Sequence, residues 1–326
     1  MARHTGLPRP LALTLKRSDL LRSLTDIDSD PEARARVLRM ETDFRTRIQT
    51  HVSSLPTNDA RFEKFSTSPY VLLIYSLRHG YSKVSEIEGD ILPAKVFSSM
   101  ETSAGRMIEA VVLPVYGWEC VASEMHTANS ALDGLRLTPD VACVATLKSG
   151  PRCLNDEMAE NFADAVISNA ASWAAEANAR RVEFTYGVLY GTKRLSNKKD
   201  WHILRNLREK AERNGGTVIT SPENRWECAV SLDGIEISAT VRVGMEWWDY
   251  LGGSPQTAVE VWTSLIRACV LPGEADPADH KYVIQDLSQI VSLASVPAEY
   301  NVGLLQRSQF PWLFFIARHF CDAIVD

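Results

Sequence analysis

The sequence predicts an α/β (α+β) fold, a mixed sheet flanked by helices with further helices added at the N- and C-terminal ends. Three observations carry this. Residues 131–150 read as a β-hairpin; the segment from there to Tyr190 reads strand, helix, strand; and both ends of the chain are helical in pattern. A chain of 326 residues has room for a core with additions. The expected boundaries are 1–85 for an N-terminal helical region, 86–253 for the core and 254–326 for a C-terminal helical region.

Asp30-Pro31 is an N-cap followed by proline at the first helical position, and no breaker interrupts the run to about Thr50. Its arginines (Arg34, Arg36, Arg39, Arg45, Arg47) form a solvated face in the plainer reading and phosphate contacts in the sharper one. A second helix is expected over Glu101–Leu113, with Met107, Ile108, Val111 and Val112 as its apolar side and Pro114 disturbing its end. A strand follows at Trp118–Ala122. After the hairpin a helix is expected from Asp156 to Ala177, with Met158, Phe162, Ala165, Val166 and Trp173 as its buried stripe. Val182–Tyr190, rich in β-branched and aromatic residues, is the next strand, and the strand–helix–strand order makes a parallel crossover. Ser231–Ile235 carries the Asp-Gly hairpin signature. Trp247-Trp248 suits core packing better than base stacking. Beyond Ser254 the chain is again helical, punctuated by Pro272, Pro277, Pro297 and Pro311.

The hairpin carries the chemistry. Thr138-Pro139-Asp140-Val141 suits a tight turn, with proline at its second position. If Thr138 faces Val141, paired numbers sum to 138 + 141 = 279, and Asp133 falls opposite Thr146. Lys148 lies two residues along on the same face. A carboxylate and an ammonium then converge, as a metal-assisted attack on phosphate requires. Asp140 is the rival acid, but along an extended strand it stands roughly 26 Å from Lys148, too far to share an ion.

Composition narrows the alternatives. A formal charge of −6 exerts no global pull on nucleic acid, so DNA binding needs a local basic surface. The segment 193–210 is the most basic, with seven Lys or Arg against Asp200 and Glu209, a net of +5. Six cysteines without CxxC or Cys/His spacing argue against structural zinc and a disulfide framework. No signal or membrane-length apolar run is evident, so a cytoplasmic protein with no membrane partner is expected. GxxxxGK[ST], HExxH, GxSxG and a strand-following GxGxxG are all absent.

Four blocks, in order over roughly residues 100–252, resemble the type II restriction endonucleases of the PD-(D/E)xK superfamily, and most closely the branch that cuts RGGNCCY-type sites. They are Gly105–Gly117, Ala145-Thr-Leu-Lys-Ser-Gly150 behind an upstream acid, Tyr186–Gly191 running into Trp201–Arg205, and Val243–Trp248. The resemblance implies a PD-(D/E)xK nuclease core in which Asp133 binds Mg²⁺ and Lys148 stands near the scissile phosphate. The slot two before the lysine departs from the family pattern, being Thr146 rather than Asp or Glu. A carboxylate from the preceding helix, Glu109, then completes the metal site, with Glu119 on the next strand as the alternative. Arg152 and Asn155 lie where the family's chain leaves the active site toward DNA, although Asn155 also suits a helix cap. Lys193, Arg194, Asn197, Lys198 and Lys199 fill a loop suited to phosphate and base-edge contacts.

The expectation is therefore an Mg²⁺-dependent, site-specific endonuclease of a restriction-modification system. It would act as a homodimer on a near-palindromic, GC-rich site in double-stranded DNA, with the terminal helices, Trp312–Ile316 among them, as candidates for the dimer contact. A DNA-binding protein with a decayed site, or a nuclease for structured or damaged DNA, are the alternatives.

Overall fold

The computed structural model describes residues 6–55, 69–81, 83–121, 132–270, 296 and 300–326, and is mixed α/β. Pro272, Pro277 and Pro297, named above as punctuation, lie outside the described residues, as does Ala122 at the end of the expected strand. In chain order the strands are β1 (Thr14–Lys16), β2 (Glu119–Cys120), β3 (Gly134–Leu137), β4 (Ala142–Lys148), β5 (Arg181–Val188), β6 (Thr217–Thr220), β7 (Glu227–Leu232), β8 (Ile235–Val243) and β9 (Ala323–Val325). Seven of them form one sheet in the order β2-β3-β4-β5-β8-β7-β6. Its centre, β4-β5-β8, is parallel, and an antiparallel arm extends it on each side. Parallel strands are buried on both faces and need crossover connections, which explains the near-continuous apolar run of β4.

One crossover is α5 (Asp156–Glu176), between β4 and β5 as the sequence predicts. Asn155 caps it by accepting from the Met158 backbone N–H at 2.8 Å. Its innermost residues are Ala159, Ala163, Val166, Ala170, Trp173 and Ala174, so the buried stripe is turned toward the alanines. Small side chains let this helix lie close to the sheet, while Met158 and Phe162 pack at its margin. It shares its layer with α6 (Lys199–Arg213).

The opposite face carries helices from both ends of the chain: α1 (Arg17–Ser29), α2 (Pro31–Ser54), the C-terminal part of α4 (Val84–Val115), α7 (Met245–Gly252), α8 (Thr257–Cys269) and α9 (Phe310–Arg318). The terminal regions thus meet in one apolar layer. Leu313 and Phe314 of the Trp312–Ile316 run are fully buried in it. At its centre Glu260, 1% exposed, receives Arg36 Nε and Nη2 at 2.8 and 2.7 Å and the Tyr116 hydroxyl at 2.7 Å. Short parallel strands β1 and β9 join the termini as well.

Alternation along β4 assigns its faces. Cys143, Ala145 and Leu147 join the terminal-helix layer, whereas Ala142 and Val144 join the α5/α6 layer. Thr146 and Lys148 share the parity of Ala142 and Val144, and the Lys148 ammonium lies 5.5 Å from the centre of the Phe162 ring on α5.

The expected helix at Glu101–Leu113 is part of a longer one. α4 contains both Pro93 and Pro114. Pro114 sits one residue from its end, where little of the helix remains to be disrupted. α3 (Pro69–His79) precedes α4.

Candidate active site

The hairpin register is the expected one: Gly134 pairs with Ala145, Leu135 with Val144, Arg136 with Cys143 and Leu137 with Ala142. Thr138 closes the turn, its N–H donating to the Val141 carbonyl at 3.0 Å. Just past the last ladder pair, the Asp133 N–H donates to the Ala145 carbonyl at 2.9 Å. The Asp133 carboxylate then takes the place of the missing strand. Oδ2 accepts from the Leu147 N–H at 2.6 Å and from the Thr146 hydroxyl at 3.2 Å. Both bonds fall on Oδ2, and among the described residues none reaches Oδ1.

Glu109 arrives from the other layer on one stripe of α4. Residues 105, 109 and 113 follow at i, i+4 and i+8 and so share a face. A Cβ built on Gly105 would stand 3.7 Å from Ser149 Cβ, and one on Gly134 would meet Leu113 Cδ1 at 3.3 Å. The stripe therefore touches the end of β4 at one point and the start of β3 at another, with Glu109 between. Burial pushes the Glu109 carboxyl up to about 7, helped by the Asp133 charge and opposed by Lys148 and Arg106. Two acids and one lysine thus sense one another across the junction of helix and hairpin. Glu119, by contrast, is exposed on edge strand β2, opposite Leu135.

Sequence reading assigned no role to the groups that wall this spot. Tyr186 is buried, pairs in register with Thr146 and lies 6.0 Å from Phe162, ring to ring. Its hydroxyl is pushed up by burial first, then by Asp200, Cys153 and Asp133. Cys120 pairs with Gly134, and its thiol is raised by burial, Glu109 and Asp133. The parallel register between β4 and β5 places Tyr186 and the antiparallel register between β2 and β3 places Cys120, and neither pairing leaves a local sequence signal.

No group of three or more His, Cys, Asp or Glu side chains is arranged to hold a metal among the described residues. Mg²⁺ does not need three, since it keeps several waters and one or two carboxylates suffice. The open Oδ1 of Asp133 and the crowded, neutralisation-prone Glu109 carboxyl suit such an ion.

The expected DNA-contacting residues cluster at one end of the sheet, beyond the C-terminal ends of β4 and β5, yet most are engaged within the chain. Arg152 Nε donates to the Leu195 carbonyl at 3.0 Å, and Asn155 is the α5 cap. Asn197 Nδ2 donates to the Leu154 carbonyl at 2.8 Å, and its Oδ1 accepts from the Lys199 N–H. Lys199 pairs with Asp156, Lys193 with Glu246 at 2.6 Å, and Arg194 with Asp322 at 3.7 Å. Lys198 is exposed at φ 74°, and no acid faces it among the described residues. On α2, Arg34, Arg36 and Arg45 likewise pair with Asp28, Glu260 and Glu41.

Trp247 and Trp248 are core residues, with Trp248 Nε1 donating to the Leu189 carbonyl at 3.0 Å. All six cysteines are free thiols. No helix among the described residues is long and apolar enough to cross a membrane. No protein-family model matches this chain, and no curated protein is significantly similar to it.

Proposed function

We propose that this protein is an Mg²⁺-dependent endonuclease with a PD-(D/E)xK-type core, cutting double-stranded DNA at a specific site. The observation that carries this reading is the convergence of Asp133, Thr146 and Lys148 on one hairpin end with Glu109 delivered by α4. Asp133 and Glu109 would hold the metal, which when bound polarises a phosphate oxygen and lowers the pKa of a water. The Lys148 ammonium, steadied over Phe162, stabilises charge that grows on the phosphoryl oxygens as water adds and the P–O bond to the leaving sugar breaks. Thr146 takes no part in bonding to phosphate; it fixes the rotamer of Asp133. The type II restriction assignment, with a partner methyltransferase and a near-palindromic GC-rich site, follows from the resemblance of the four blocks.

Supercoiled and linear DNA incubated with and without Mg²⁺ tests this. Discrete fragments that need the metal, and are absent with Lys148→Ala although that variant still retards DNA, are expected. The hydrogen bonds of Asp133 to Leu147 and Thr146 equally suit an acid that merely closes the hairpin edge, as in a binding protein with a decayed site. Retardation without cleavage by the unaltered protein would select that reading, and cleavage without discrete fragments would select a nuclease for structured or damaged DNA.

Cutting both strands of a two-fold site is most simply done by two copies of one active site. We assign the homodimer contact to the outer face of α3, because the Trp312–Ile316 helix is engaged in its own core. Tyr70, Leu73, Ile74 and Leu77 are strongly exposed there at i, i+3, i+4 and i+7.

A further inference from the structure

Residues 6–13 form an arm pinned at both ends. The Gly6 carbonyl accepts from the Asn224 N–H at 3.1 Å, and Leu13 exchanges two hydrogen bonds with Asp322, through its N–H to Oδ2 at 2.8 Å and through its carbonyl from the Asp322 N–H at 2.7 Å. Between those anchors the arm faces the 193–198 loop across a cavity of 270 Å³. Four cations from two distant stretches of chain line it: Arg9, Lys193, Arg194 and Lys198. Glu246 and Asp322 balance Lys193 and Arg194. Arg9 and Lys198 face no acid among the described residues, which leaves the cavity with a surplus of two positive charges. Ser196 adds one hydroxyl, and the rest of the wall is apolar: Leu7, Pro10 and Trp226, whose ring has the Lys193 ammonium 5.2 Å from its centre.

This combination is selective. A surplus of cations attracts any anion, but an aromatic and proline wall beside it favours an anion joined to an apolar, flat-sided body, as a phosphodiester is joined to deoxyribose. The place also fits. The loop follows β5, and the Asn197 N–H donates to the Pro151 carbonyl, just after β4. The cavity thus opens at the same end of the sheet as Lys148, outside the carboxyl ends of the parallel strands, where open α/β sheets bind their ligands. In a protein of net charge −6 a local cationic cavity there is a departure from the average surface.

We propose that this cavity holds a backbone phosphodiester of duplex DNA away from the scissile phosphate, with Arg9 and Lys198 on the phosphate and Trp226 against the sugar. The identity of the polyanion rests on the nuclease reading above. The contact sets register and contributes affinity without reading bases.

The test is fluorescence anisotropy of a labelled duplex with full-length Lys148→Ala protein, alone and with Arg9→Gln and Lys198→Gln added, over a salt series. Both side chains are exposed, so folding is expected to survive, and thermal melting checks it. Affinity should fall about tenfold or more at physiological salt, and the plot of log K against log salt should become shallower by about 1. A charge-matched control, Arg39→Gln with Arg213→Gln, should lose far less. Equal loss in variant and control, or none in either, overturns the assignment while leaving the nuclease reading intact. A Lys148→Ala parent that binds no duplex at low salt overturns both.

Discussion

Thr146 stands across the hairpin from Asp133, and its hydroxyl donates to Oδ2 over 3.2 Å, beside the 2.6 Å bond from the Leu147 N–H. On the proposed nuclease reading the threonine occupies a slot that a second acid would fill in the general pattern, and holds Asp133 in place. Thr146→Val keeps the shape and removes the donor. The loss of one hydrogen bond, about 1 kcal/mol, predicts a cleavage rate lower by roughly five- to tenfold. Single-turnover kinetics at saturating Mg²⁺ would show it. Activity as low as that of Lys148→Ala would mean that Thr146 touches the reacting groups.

Glu109 predicts a pH signature in metal-free protein. Its folded carboxyl sits at about 7 against an ordinary 4.5, because of burial and then Asp133. The folded state therefore holds a proton that the unfolded chain releases between those values. The stability tied to this group is fully present below about 4.5 and is lost as pH rises through about 7, up to about 3 kcal/mol in all. Thermal melts in EDTA should show wild type losing stability relative to Glu109→Gln between pH 5 and 8. Mg²⁺ at pH 8 should raise the melting temperature of wild type more than that of Glu109→Gln. Parallel pH curves would remove Glu109 from the buried cluster.

The Arg36–Glu260 pair predicts where the terminal helices are held. Glu260 is buried, and its carboxylate is bound by Arg36 at both oxygens and by Tyr116. Removing the half-buried arginine strands the buried carboxylate, so Arg36→Ala should cost about 3 kcal/mol or more in denaturant titration. Replacing both residues by methionine should recover much of that. A single-variant loss below about 1 kcal/mol would show the pair to be dispensable.

Dimerisation through α3 is checked by sedimentation. Tyr75 and Tyr81 both donate to Asp90 Oδ2, so the helix is held to α4 by its polar side and its apolar stripe faces out. With Val71, α3 exposes five large apolar side chains. At ~100–150 Å² each they expose on the order of 600 Å², at the top of the ~300–600 Å² of the largest patch on most monomers and approaching the ~800 Å² per partner of a standard interface. Wild type should sediment as a dimer and the double variant Leu73→Glu with Leu77→Glu as a monomer with unchanged melting. A wild-type monomer at micromolar concentration, free and on DNA, would sink the idea.

What the sequence by itself determined is local. The Thr138–Val141 turn sets the register that puts Asp133 beside Thr146, since side chains alternate and the turn allows one pairing. Asn155 caps α5, and Asp233 and Gly234, both at positive φ (52° and 77°), make the turn that pairs Leu232 with Ile235. These features depend on residues a few positions apart, so composition and spacing expose them.

Tertiary structure decided the rest. α4 continues through Pro93 and runs on to Val115, while its end packs Val111, Val112 and Leu113 into the core; proline weighs against a helix interior, and a count of residues cannot show what outweighs it. Arg36 and Glu260 lie 224 positions apart, and β1 meets β9 across almost the whole chain. The 193–199 loop looks strongly cationic in sequence. Folding brings Glu246, Asp322 and Asp156 onto three of its charges, and brings Arg9 to the same cavity. Charge neutralisation is a property of proximity, and proximity between distant segments is created only when the apolar layers bury and the sheet closes its parallel centre.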